Sequence, residues 1–157
     1  MLPKIERLGL SSYLVESLSY TRNDWAEMGV FSAFTLMCHN FGFTRYIAQY
    51  HKHSLGISYF DFYNTLYDKF KTTEHYSKLK DHLYKFAAQD GSTFNIDYDD
   101  SLPWLLDPEE YLFLSVSEDQ ELFYHTMFSD VTDAELLDLI SFQQQSMITV
   151  KSKNPKD

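Results

Sequence analysis

Between Lys85 and Lys151 the chain contains neither lysine nor arginine, although fourteen aspartates and glutamates fall in those 65 residues. Other scarcities narrow the reading further. A single cysteine, Cys38, excludes an internal disulfide, and its place in the apolar stretch Phe34–Phe41 predicts a small buried side chain. Five glycines leave little material for a backbone cradle around phosphate, and no GxSxG, HExxH or Glu-x-x-His pattern occurs. No uninterrupted apolar run approaches the roughly 20 residues of a membrane span. The chain opens at Met1 without a charged-then-apolar leader, so the expectation is a cytoplasmic protein with no membrane association.

The charge that is present is unevenly placed. Residues 1–85 carry a net charge of +2 and the last seven residues another +2, so the formal net charge of −10 arises wholly from the stretch between. Part of this acidity has a local purpose. Asp107, Glu109, Glu110, Glu118, Asp119, Asp130, Asp133 and Glu135 fall where helix N-termini favour negative charge, each position worth about 0.3–1 kcal/mol. Helix starts explain where acids stand, but not why no cation opposes them. Unopposed acids repel one another, attract basic protein surfaces and disfavour direct contact with nucleic acid.

Hydrophobic residues make up 44% of the 157, which suffices for a core, and aromatics reach 17%. Helical spacing recurs almost throughout. Ser11 or Ser12 can open a short helix with Leu14, Val15 and Leu18. Asn23 or Asp24 can cap a second, with Glu27 in box position, and this helix is apolar on most sides, as suits a bundle centre. Gly42 ends or kinks it, and Thr44 opens a segment that closes at Gly56. After Ser58 the residues Tyr59, Phe60, Tyr63, Leu66, Tyr67 and Phe70 make one stripe, and after Thr72 or Thr73 so do Tyr76, Leu79, Leu83, Phe86 and Ala87. Asp107-Pro108-Glu109-Glu110 signals another start. Ser117–Gln120 resembles a capping box, and a last helix opens near Asp130 or Thr132 and buries Leu136, Leu137 and Ile140. The predicted fold is all-α, a single-domain bundle of about seven short-to-medium helices over residues 1–150. It has a basic-to-neutral half (1–85), an acidic half (86–150), an irregular acidic loop near 89–106 and a disordered tail at 151–157.

Constellations for chemistry are sparse. Glu121 and His125, four apart, share a helix face, so the carboxylate could orient the imidazole. His51 and His53 diverge on a helix, and His75 and His82 stand two turns apart. Asn95, Asp97 and Asp99 alternate like the start of a calcium loop, but Asp100 occupies the glycine position and Leu106 the final glutamate position. Neither a metal nor another cofactor is expected. The lysines at 69, 71, 78, 80 and 85 are diluted by Asp68, Glu74 and Asp81 and read as a solvated face.

The function expected is that of an acidic inhibitor, immunity- or antitoxin-like, which neutralises a basic partner such as a nuclease toxin by covering its active surface. Aromatic anchors ringed by carboxylates would carry the contact. These are Tyr98, Trp104, Tyr111 and Tyr124 among Asp97, Asp99, Asp100, Glu109, Glu110, Glu118 and Glu121. A different class is a small helical-bundle enzyme or ligand-binding protein with His125 and Glu121 in an aromatic pocket. A DNA mimic or an adaptor subunit would use the same acidity.

Overall fold

Thr21 opens the first helix. In the computed structural model, which describes residues 18–87 and 107–152, with side chains as far as 147, Thr21 Oγ1 accepts the Asp24 N–H at 3.2 Å. Asp24 in turn accepts the Thr21 N–H at 2.9 Å. This reciprocal box begins α1 (Arg22–Thr35) ahead of Asn23 and Asp24 and releases Glu27 from the capping role the sequence suggested. Helix α1 is apolar on most sides and lies at the centre, with Ala26, Val30, Ala33 and Phe34 buried and α4 and α5 packed on it. It runs on into a π-helical turn, Leu36–Asn40, where the Phe41 N–H reaches back five residues to the Leu36 carbonyl at 3.0 Å. Met37 and Cys38 are buried there, and Gly42, at φ +93°, takes a backbone conformation that strains any residue with a Cβ.

The remaining helices are α2 (Arg45–Ser54), α3 (Tyr59–Phe70), α4 (Glu74–Ala87), α5 (Pro108–Glu118), α6 (Gln120–Phe128) and α7 (Ala134–Ser152). Ser58 caps α3 as expected, but the buried stripe includes Phe62, and Phe60 is 74% exposed. Positions 59, 63, 66, 67 and 70 fix the inward direction. At 100° per residue Phe60 and Phe62 lie about equally far to either side of it, and packing on His51 and Tyr63 takes Phe62 inward. At Ser117 the hydroxyl donates to the Phe113 carbonyl at 2.6 Å, so no capping box forms and α5 runs through to Glu118. The break comes at Asp119. Helix α7 is capped by Asp133, whose Oδ1 accepts the Leu136 N–H at 2.9 Å, rather than by Thr132 or by Asp130, which Lys69 engages. Its last two residues belong to the segment read as tail. The proposed helix near Ser11, the acidic loop at 89–106 and the rest of the tail lie outside the described residues.

Among the described residues there are seven α-helices and no strand, arranged as one bundle-like body. A single core joins Phe34, Phe43, Phe70 and Leu79 of the first half to Leu112, Val116, Met127 and Ile140 of the acidic half. No helix among them is long and apolar enough to cross a membrane.

Freed from capping, Glu27 joins three helices. Its carboxylate accepts the Tyr67 hydroxyl at 2.8 Å and the Tyr76 hydroxyl at 2.6 Å, and Lys80 lies at 3.2 Å. Partial burial by itself would raise the Glu27 pKa, but the bonds from Tyr76, Tyr67 and Lys80 outweigh it and hold the value below 4.5. The associated stability is complete above about pH 4.5 and fades as pH falls through the lower folded value. Glu27→Gln is expected to lose about 1–2 kcal/mol in urea unfolding at neutral pH. Its stability should also decline less steeply on acidification than that of the wild type. An unchanged acid profile would show that the carboxylate does not supply this support.

Candidate functional site

The two halves of the chain treat their charges differently. All five lysines of the α3–α4 region are paired: Lys71 with Asp68, Lys78 with Glu74, Lys85 with Asp81, Lys80 with Glu27 and Lys69 with Asp130. The first half's other described acids, Asp24 and Asp61, accept bonds at helix starts. In the acidic half ten acids are described, and Asp130 alone forms an ion pair, at 2.6 Å. Local bonds account for a few others. Glu110 accepts the Asp107 N–H at 3.1 Å, Asp133 caps α7, and Glu135 accepts the Tyr50 hydroxyl at 3.3 Å. Glu109, Glu118, Glu121 and Asp138 form no ion pair among the described residues.

These acids do not lie side by side. Glu109 borders a cleft of about 310 Å³ with Trp25, Leu83, Asp107 and Pro108, at the start of α5. Glu118 ends the same helix, about 13 Å further along its axis. Glu121 opens onto a larger groove. Of the expected anchors, Asp97, Tyr98, Asp99, Asp100 and Trp104 lie outside the described residues. Tyr111 and Tyr124 require correction, because both rings are buried. Tyr111 packs on the α5 face turned to the core, with His82 edge-on to it. The Tyr124 hydroxyl donates to the Phe43 carbonyl at 2.6 Å. Burial pushes both phenols above their ordinary pKa, so neither presents an exposed ring, although Tyr124 also borders the α6–α7 groove.

The groove lies between α6 and α7, is open to solvent and measures about 700 Å³. Leu122, Tyr124, Phe128, Leu137 and Ile140 give it a largely apolar lining, and Glu121, His125, Ser129 and Gln144 supply its polar edges. Leu122 is 60% exposed and Leu137 42%, although the sequence pattern placed Leu137 in the core. The cause is an excess of apolar residues. Adjacent side chains on a helix point about 100° apart, and although Phe123 and Tyr124 are both buried, the next neighbour round the helix, Leu122, is left outside, as Leu137 is beside buried Leu136.

The pair Glu121 and His125 lines the groove together, but no hydrogen bond joins them. Other imidazoles are engaged within the fold. His39 Nδ1 meets the Tyr63 hydroxyl at 2.8 Å, His51 Nδ1 the Ile47 carbonyl at 2.8 Å, and His75 Nδ1 the Ser115 hydroxyl at 2.6 Å. The last contact pairs a hydroxyl with a potential base, but Ser115 is buried within α5, where a substrate has no access. Burial lowers the His75 pKa despite the pull of Asp119, and lowers that of His39 with help from Arg45. Cys38 is fully buried and its thiol pKa is raised by that burial, so it is an inert core residue. No three or more His, Cys, Asp or Glu side chains converge as metal ligands among the described residues.

Comparison with family models, curated proteins and solved structures finds no match to this chain.

Tyr124→Phe tests the division between core and surface. Leaving the Phe43 carbonyl without its donor is expected to cost about 1–2 kcal/mol in thermal or urea unfolding. Affinity of the folded variant for any captured partner should stay unchanged; a large loss of affinity with full stability would return Tyr124 to the interface.

Proposed function

We propose that the protein is an acidic binding module, immunity- or antitoxin-like, that neutralises a basic protein by covering a surface built to hold nucleic acid. The observation that carries this reading is the one-sided ion pairing. Lysines of α3 and α4 are taken up by nearby carboxylates, whereas nine of the ten described acids from Asp107 to Asp138 form no ion pair among the described residues. Uncompensated charge lowers the stability of a free protein, and a basic surface on a partner relieves it. Carboxylates on such a surface occupy places meant for phosphates. They also speed encounter through long-range attraction that salt screens.

An enzyme built on Glu121 and His125 is the other class. The two residues share a groove, which favours it, but with no bond between them the carboxylate does not fix the imidazole for proton transfer. Strict DNA mimicry finds less support in acids placed at separate ends of α5 and on α6.

Affinity capture from the native lysate, at low and at high salt, tests the proposal. The wild type is expected to retain a basic protein that is released at high salt. The combined Glu109→Gln, Glu110→Gln, Glu118→Gln and Glu121→Gln variant, which keeps the side-chain volume, should bind it at least about tenfold more weakly. Capture indifferent both to salt and to these four changes would sink the acidic-surface reading.

A further inference from the structure

We infer that the α6–α7 groove is the seat for one amphipathic basic helix of the partner, its apolar stripe on Leu122, Phe128, Leu137 and Ile140 and its lysines or arginines over the acids beside them. This rests on the reading of the protein as a binder of basic proteins. The groove has the form of the recognition mode in which a helix lies between two helices. Along α7 the lining extends from Leu137 to Gln144, about 10 Å, the length of two helical turns. Anchors at i, i+3 or i+4 and i+7 of an incoming helix match that length.

Charge decides among the occupants that could cover such a surface. Glu121 lines the α6 wall. Asp133 caps the start of α7, four residues before Leu137, and exposed Asp138 follows Leu137 about 100° round the helix, outside the lining. Among the described residues none of the three has an ion pair, so an apolar segment flanked by acids would bring like charges together, whereas one flanked by lysine or arginine relieves them. A second copy of this chain would carry another net charge of −10 into the contact. Nucleic acid is opposed by the same sign. The nonpolar lining in turn selects against a cationic segment lacking an apolar stripe, since Leu122 and Leu137 would stay in water.

The test uses the full chain, isotope-labelled, titrated with a synthetic helical peptide of about 14 residues bearing leucines at i, i+3, i+4 and i+7 and lysines on the flanks. A peptide of identical composition, scrambled to destroy the stripe, serves as the comparison. Expected are amide shifts concentrated at Leu122, His125, Leu137 and Gln144, and affinity at least about tenfold above that of the scrambled peptide. Leu137→Asp, at an exposed position and with helicity checked by circular dichroism, should weaken binding even though it adds negative charge. Glu121→Gln with Asp138→Asn should weaken it in a salt-dependent way.

Equal affinity for both peptides, or shifts that map to the start of α5, would overturn the groove as the seat while leaving the acidic-surface reading standing. Self-association with shifts at the groove residues would overturn it in favour of a second copy. Failure of the lysate capture to depend on charge would instead remove the underlying reading, whatever the peptides do.

Discussion

The Glu27 carboxylate is the contact on which the arrangement of the first half turns. It sits on the central helix and accepts bonds from α3 and α4 through Tyr67 and Tyr76, with Lys80 as its counter-ion. A carboxylate half out of water at a three-helix junction is tolerable only with such a complete set of partners. Meeting that need fixes α3 and α4 against α1, and α1 in turn supports α5. The other lysines of this region pair with acids three or four residues away or, in Lys69, with Asp130 and the Met127 carbonyl.

The acidic half therefore presents a surface whose charge is left to solvent. Its helices are held to the core by apolar contacts and by Tyr124 and Gln143 bonds to the chain around Gly42. Ion pairs contribute little to that attachment. A fold so anchored can carry unopposed carboxylates at modest cost, because they are spread along α5, α6 and α7 and exposed to screening. The same helices hold more apolar residues than one core can absorb, and the surplus opens as the α6–α7 groove. Negative edges and an apolar floor on one surface are what make a cationic amphipathic partner the fitting occupant.

Helix-level features were legible along the chain for local reasons. Ser58 before α3 and Asp107-Pro108 before α5 state their caps within three or four residues, and the stripes of α3 and α4 repeat at helical period. Misreadings occurred where local options competed. Thr21 and Asp24 satisfied each other before Glu27 could act, and Ser117 bonded backward to Phe113 rather than forward. At the candidate site, Glu121 and His125 were correctly placed on one face. Tyr111 and Tyr124 were not recognisable as core, because a tyrosine beside acids reads alike whether its hydroxyl meets water or, as in Tyr124, a buried carbonyl.

Sequence alone set the helical class, most helix starts and the absence of cations between Lys85 and Lys151, since each depends on neighbours in the chain or on composition. Tertiary packing settled which carboxylates are neutralised, which aromatics are buried and where surplus leucines emerge. These outcomes depend on distances between residues far apart in the chain, such as Lys69 and Asp130 or Phe43 and Tyr124. No helical period records such distances, because period fixes a side chain's direction from its own axis and leaves open what stands opposite.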